Sequence, residues 1–351
     1  MAWRYRWLLL ALLTLLQGCS SLGYYSQSIG GHLQLMGQRR PINQLLQDPD
    51  TPPPIKRKLQ RVVAMRTFAT EGLGLPDNNS YRSYAALGRK AVVWSVVAAP
   101  AFSIQPKQWC YLFIGCASYR GYFSQNDAET YAATLQQQGW DVAVLPVPAY
   151  STLGWFDDPL PSTVIDWPEA QVAGLIFHEL AHQQLYVKND SAFNEAFASL
   201  VEQEGVKRWL NGRDDAALSR WQLSRQREGQ FIDLLLAVRD ELDRLYRQPL
   251  DEPSMGQRKA RLFEQLRERY QQLKQQWGGY AGFDGWFSHD LNNAYLASIA
   301  TYEAWVPAFQ QLLKQAGGDL AGFYAASRAL GELPSPQREQ RLQALLQAAD
   351  P

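Results

Sequence analysis

Two of the four histidines in this chain stand four residues apart around a glutamate, in His178-Glu179-Leu180-Ala181-His182. On an α-helix, residues at that spacing lie one above the other on the same face. Both imidazoles can therefore turn a nitrogen toward one ion about 2.0–2.1 Å away, the usual zinc–nitrogen distance. Glu179 sits one position along, where its carboxylate can act as general base toward a water on the metal's open position. The chemistry this implies is metal-assisted hydrolysis, with Zn2+ as the expected ion. The competing structural role, two histidines satisfied in a helical core, would need no glutamate between them.

The flanking residues predict the helix that the motif requires. Pro168 suits a first helical position, and Glu169 suits the positive helix N-terminus. No proline follows between Glu169 and Val187. A hydrolytic zinc site needs a third protein ligand and one open position. Two glutamates qualify, Glu195 in Phe193-Asn194-Glu195-Ala196-Phe197-Ala198 and Glu202 seven residues on. Lys188-Asn189-Asp190-Ser191 reads as a short turn, with Asp190 or Ser191 capping a second helix. Folding an antiparallel helix pair about positions 188–189 brings His182 opposite Glu195 and leaves Glu202 opposite Leu175. The metal set expected is thus His178, His182 and Glu195, with Glu202 or Asn194 orienting a histidine from behind.

His-Glu-x-x-His followed on a second helix by Asn-Glu-x-x-Ala resembles the glutamate-liganded zincins, the class that includes thermolysin and the zinc aminopeptidases. In the best known of these the third ligand lies farther along, a spacing that Glu202 matches. A closer resemblance is to a family of bacterial lipoproteins described as putative aminopeptidases. It is carried by Trp109-Cys110 and Gly115-Cys116, Tyr119-Arg120-Gly121-Tyr122-Phe123, His178 through Gln183, Phe193 through Ala198, and Asn292-Asn293-Ala294. The resemblance implies a zinc peptidase acting on a peptide substrate. It also implies an edge strand over the cleft that pairs with the substrate backbone, for which Leu153 to Phe156 is the candidate, with Trp155 or Phe156 lining the pocket.

Arg4 and Arg6 precede an apolar run from Trp7 to Leu16, too short to span a bilayer and typical of a signal peptide. Leu16-Gln17-Gly18-Cys19 resembles a lipobox, so Cys19 is expected to be lipidated and to anchor the chain to a membrane. Ser20 after the cysteine favours the bacterial outer membrane, with the protein facing the periplasm. Cys110 and Cys116 then remain, and in an oxidising compartment they form a candidate disulfide. The formal charge is 0, and loss of Arg4 and Arg6 leaves 0 − 2 = −2. Such a balance offers no basic footprint for nucleic acid. With 46% apolar residues and 12 tryptophans, the chain can bury a large core.

The fold class expected is α+β and zincin-like, a small twisted sheet over the active-site helix with a mostly helical C-terminal part. Tyr24–Gln47 reads as helix as far as Pro41, Pro52-Pro53-Pro54 as a linker, and Lys56–Thr70 as helix. Ala91–Ala98 and Tyr119–Ser124 read as strands, a helix opens near Asn126 and closes at Gly139, and Asp141–Val147 is strand again. Phe231, Leu235, Val238, Leu242 and Leu245, then Leu262, Leu266, Tyr270 and Leu273, form two apolar stripes of a long helical hairpin. Residues 291–314 read as a helix interrupted near Pro307. The organisation expected is 1–18 signal peptide, 19–75 N-terminal helices, 80–212 catalytic core, 213–276 hairpin and 277–351 C-terminal helices completing the catalytic domain.

A peptidase also needs a donor for the developing oxyanion. Tyr302 is the first candidate, with Tyr295 and His289 behind it. Asp157, Asp158 and Glu202 are the acidic groups available to hold a substrate's free amine. The alternative function is a periplasmic binding or assembly lipoprotein with a structural or vestigial zinc site, contacting an envelope protein through the hairpin.

Overall fold

The computed structural model describes residues 23–111, 115–152, 154–299 and 305–348. Cys19 and the apolar run before it, Leu153 and Tyr302 lie outside the described residues. In chain order the elements are α1 (23–37), β1 (Arg39–Pro41), α2 (Ile42–Gln47), α3 (Pro53–Glu71), β2 (Ser83–Ala85), β3 (Val93–Pro100), β4 (Trp109–Tyr111), β5 (Gly115–Ala117), β6 (Arg120–Tyr122), α4 (Gln125–Gln137), β7 (Trp140–Val147) and β8 (Leu160–Pro161). Helices α5 (Glu169–Gln184), α6 (Ser191–Leu210), α7 (Asp215–Tyr246), α8 (Glu252–Gln276), α9 (Asn293–Ala297), α10 (Val306–Gln315), α11 (Leu320–Gly331) and α12 (Ser335–Gln347) complete it. The fold is α+β and dominated by helix.

β3 is the centre of an antiparallel sheet ordered β6-β3-β7. Its alternate residues point to opposite faces, as strand geometry requires. Trp94, Val96 and Ala98 pack with Ala128, Ala132 and Leu135 of α4, while Val97 packs with Ala294 and Tyr295 of α9. A second sheet, β1-β2-β8, joins the N-terminal region to the segment before α5. β4 and β5 form a separate hairpin in which Cys110 and Cys116 are cross-strand partners joined by a disulfide.

The main core surrounds α5 and α6. Val172, Ile176, Phe177 and Leu180 of α5 meet Leu59, Val62 and Met65 of α3, Phe193, Phe197 and Val201 of α6, and Phe309, Phe323 and Leu342 of the last three helices. No β3 or β7 residue belongs to this cluster among the described residues. The central sheet and α5 therefore bury separate apolar clusters, and the segment that follows β7 is what reaches α5. α7 and α8 lie side by side on their own core of Phe231, Leu235, Val238, Leu242, Phe263, Leu266 and Tyr270. Arg269 reinforces it with two bonds to Glu241, at 2.7 and 3.1 Å.

Three sequence expectations need correction, two of them for the same reason. Pro53 does not belong to a linker and Pro307 does not interrupt a helix: both occupy the first positions of helices, α3 and α10. A proline there loses no hydrogen bond, because that N–H has no intrahelical partner in any case. The helix expected over 291–314 opens instead as the five-residue α9, and α10 begins at Val306. The Asn292-Asn293 pair explains its position. Asn292 caps α9 and bonds Val142 O at 3.0 Å; Asn293 donates to Pro100 O and Ala101 O and accepts from Tyr246. This motif clamps β3 and β7 to α7.

Helices α5 and α6 approach so closely that one position admits only glycine. A Cβ on Gly205 would lie 2.7 Å from Phe177 Cδ2 and 2.9 Å from Leu73 Cδ1. Gly205→Ala is therefore expected to lower the unfolding free energy by about 1–3 kcal/mol through overpacking, despite alanine's better helix propensity. Urea denaturation measures this, and an unchanged or raised midpoint would contradict the close-packed crossing.

Candidate metal centre

The site is built on the crossing of α5 and α6. Pro168 stands just before α5 as its N-cap, and Glu169 in the first turn accepts from Arg61 at 2.8 Å and from Trp209 at 3.3 Å. The apolar face of α5 faces the core, which leaves His178 and Glu179 at the edge of a cleft and His182 only 5% exposed. The helix stops at Gln184, and the chain reverses through Asn189, whose φ of 63° suits an asparagine in a left-handed turn. Asp190 then caps α6 by accepting from Phe193 N–H at 3.1 Å.

Asn194 sets the register. Its carbonyl oxygen accepts from Val187 N–H at 2.7 Å, and its amide donates to Val187 O at 2.8 Å. It pins the turn and touches neither histidine, so of the two groups expected to orient a histidine only Glu202 does so. The next residue, Glu195, is thereby placed against both rings: its carboxylate oxygens lie 3.4 Å from His178 Nε2 and 3.7 Å from His182 Nε2. The two Nε2 atoms are 3.2 Å apart. Glu202 takes the other side of the ring, 3.2 Å from His178 Nδ1.

This donor set fits a zinc ion. Two nitrogens bound to one ion at about 2.0–2.1 Å in tetrahedral geometry lie about 3.3–3.4 Å apart, close to the 3.2 Å observed. His178, His182 and Glu195 offer one ligand atom each, all within 4.8 Å of one another. Two imidazoles and one carboxylate, with a glutamate behind one ring, is the ligand chemistry of a hydrolytic zinc centre. His182 Nδ1 is buried without a partner among the described residues, so packing alone orients that ring.

Electrostatics agree with the geometry. Burial pulls the His178 pKa down, but the bonds to Glu195 and Glu202 outweigh it and raise it to about 10. Burial pushes Glu195 up, yet both histidines hold it down at about 2. Glu179 is raised by burial, against the lowering effect of the histidines and of a hydrogen bond from Ser151. A carboxyl moved toward neutrality is suited to both accepting and returning a proton.

A cavity of about 410 Å³ opens beside Glu179 and His178. Trp167 and Leu175 line one part of it, and Trp221, Arg225 and Glu228 of α7 another. Close to Glu179 but outside the cavity lining stands a loop that sequence reasoning missed. Arg66, 2% exposed, binds the carbonyls of Ser80, Pro76 and Asn78, and through them fixes residues 76–80. Asn78 donates to Gln183 at 2.6 Å. Tyr81 follows, buried, with φ at 61°. A bulky residue in that region is strained, and such strain concentrates at functional sites. Its phenol and the Glu179 carboxylate share a hydrogen-bonding neighbour in Ser151. The one sequence signal for this loop was Arg66 itself, an arginine directly after the apolar stretch Val62-Val63-Ala64-Met65.

Other expectations fall differently. Of the edge strand expected at Leu153–Phe156, the described residues 154–156 are a turn, with Trp155 N–H bonded to Thr152 O and with Trp155 86% and Phe156 52% exposed. Asp158 holds its own bonds to Thr152 and Ser151, which tie the turn and stop it extending. Tyr295 packs in the core against β3 and β7, stacked on His289.

Two measurements test the centre. A protonated ring has no lone pair for a metal, so the raised His178 pKa means that an ion must expel a proton to bind. Zinc uptake at neutral pH should release close to one proton, and affinity should weaken about tenfold per unit of acidification below pH 10; calorimetry in buffers of different ionisation enthalpy reads both. Gly174→Ala would place a Cβ 3.1 Å from Glu202 Oε1 and 3.2 Å from its Cγ. Displacing Glu202 from His178 should weaken zinc binding by about 10–100-fold, and unaltered affinity would argue against its orienting role.

Searches of curated proteins and of solved structures return no match to this chain. Residues 23–342 match the family described as "Putative aminopeptidase". That span takes in the whole crossing of α5 and α6 and nearly all of the described fold, and the chain belongs to this family.

Proposed function

We propose that this protein is a zinc-dependent aminopeptidase with a zincin-like catalytic arrangement. The observation that carries the reading is the convergence of His178, His182 and Glu195, with Glu179 beside them at the mouth of a cavity. His178, His182 and Glu195 would hold the ion. When bound, zinc supplies a water of lowered pKa and polarises the scissile carbonyl.

The chain's own groups do the rest. Glu179 accepts the proton of the attacking water and delivers it to the leaving amine, and burial keeps its pKa high enough for both transfers. Ser151 and Tyr81 orient that carboxylate from behind. Glu202 holds the His178 ring with its Nε2 turned toward the ligand position. The substrate lies in the cavity walled by Trp167, Leu175 and Trp221. Lipidation of Cys19 would anchor the enzyme to the outer membrane, facing the periplasm.

Glu179→Gln should retain stoichiometric zinc and lose peptidase activity by at least about a hundredfold, the usual scale of a general base. His178→Ala should lose zinc itself, read by elemental analysis of the purified protein. Both are assayed on a mixed peptide library with products identified by mass spectrometry. Stepwise loss of N-terminal residues supports an aminopeptidase. Wild-type turnover in Glu179→Gln would exclude the mechanism.

A further inference from the structure

We propose that α1 and the turn at 154–156 form a membrane-docking face, seated on the lipid surface to which Cys19 would tether the chain. The inference rests on the lipid-anchor reading and is independent of the peptidase chemistry.

The described residues expose seven large hydrophobic side chains, and four of them gather here. Ile29 (60%) and Leu33 (62%) stand one turn apart on the solvent side of α1, and Trp155 (86%) and Phe156 (52%) project from the turn. The two segments form one surface. The His32 ring of α1 lies 4.7 Å from the Phe156 ring and bonds the Tyr150 hydroxyl. Gln27 fastens α1 to the sheet, donating to Gly121 O and accepting from Phe123 N–H.

The position in the chain names the occupant. Only residues 20–22 separate Cys19 from Gly23, where the described part of α1 begins. Four residue steps span at most about 14 Å fully extended. An acylated Cys19 therefore holds the start of α1 within about 14 Å of the bilayer surface whatever path those residues take. The surface is built for that place. From Gly23 to Gln38 there is no Asp, Glu, Lys or Arg, so seating α1 on lipid desolvates no formal charge of that helix, and the exposed Asp157 beside the turn accepts from Asn79 at 3.4 Å. Arg39 follows at once, exposed and bonded to Asp157 O at 3.3 Å, where an anionic headgroup would lie. Arg40 beside it is paired with Asp48. A tryptophan at the rim is the residue that interfaces favour. A Cβ on Gly154 would lie 3.4 Å from Gln183, so the same turn abuts the metal helix one residue past His182.

The test uses the lipidated full chain in vesicles of phosphatidylethanolamine and phosphatidylglycerol. With Cys19 acylated and Cys110 paired to Cys116, a cysteine introduced by Trp155→Cys or Leu33→Cys is the single thiol available to an environment-sensitive fluorophore. Gln257→Cys is the control, exposed on α8, where the neighbouring Lys259 bonds Ala101 O beyond the opposite end of β3. Labels at 155 and 33 should sit about 5–10 Å into the headgroup boundary, shift to the blue and be quenched by brominated acyl chains, while the label at 257 is not. Equal quenching at all three positions, or none at 155 and 33, overturns the proposal. Energy transfer between labels on separate copies without lipid quenching also overturns it, assigning the patch to self-association. Mass spectrometry of the N-terminal peptide reports acylation separately. Absent quenching with Cys19 acylated therefore rejects the patch and leaves the anchor standing.

Discussion

Two hydrogen bonds between Asn194 and the backbone of Val187 hold the turn that sets α6 against α5. Everything at the metal centre depends on that register. A helix places side chains only every 100° or so around its axis, so a slip of one residue would rotate Glu195 away from both imidazoles. The same turn is secured from outside by Arg338, which reaches from α12 to Asp190 at 2.7 Å. The far C-terminal helix thus supports the geometry of a site more than a hundred residues earlier.

The candidate centre also separates the side chains that could bind an ion from the glutamate beside them. On α5, His178 and His182 point one way and Glu179 another, because consecutive helical residues diverge while those four apart coincide. Glu195 and Glu202 approach from α6, one turning to the paired Nε2 atoms and the other to the rear of His178. The loop fixed by Arg66 and the segment around Ser151 approach Glu179 from the remaining side. Three separate parts of the chain therefore close on one carboxylate. Burial raises its pKa, against the lowering effect of the two histidines and of the bond from Ser151.

Several motifs that carried the sequence resemblance hold the scaffold and are not among the residues of the candidate metal centre. Asn292 and Asn293 tie strand ends to α7, and Arg120 lies over the rings of Tyr24 and Tyr131, 4.0 and 4.8 Å from their centres. Cys110 and Cys116 close a small hairpin. These residues assemble the scaffold around the crossing of α5 and α6, which is where a recognisable motif and a catalytic group must be told apart.

The amino-acid sequence alone determined what is local. The spacing of His178 and His182, the turn at 188–190, the stripes of α7 and α8 and the β-branched run of β3 are all set by a few adjacent residues. Opposition of Glu195 to His182 was legible too, because a short turn leaves an antiparallel pair little freedom. Tertiary structure decided what depends on distant partners. Pro53 and Pro307 start helices because their neighbours pack, and the turn at Thr152 to Asp158 stays closed because a buried aspartate ties it. Tyr81 and Arg66 reach the site across a hundred residues of chain, and no local period carries that information: burial and hydrogen bonding between remote segments exist only once the core has formed.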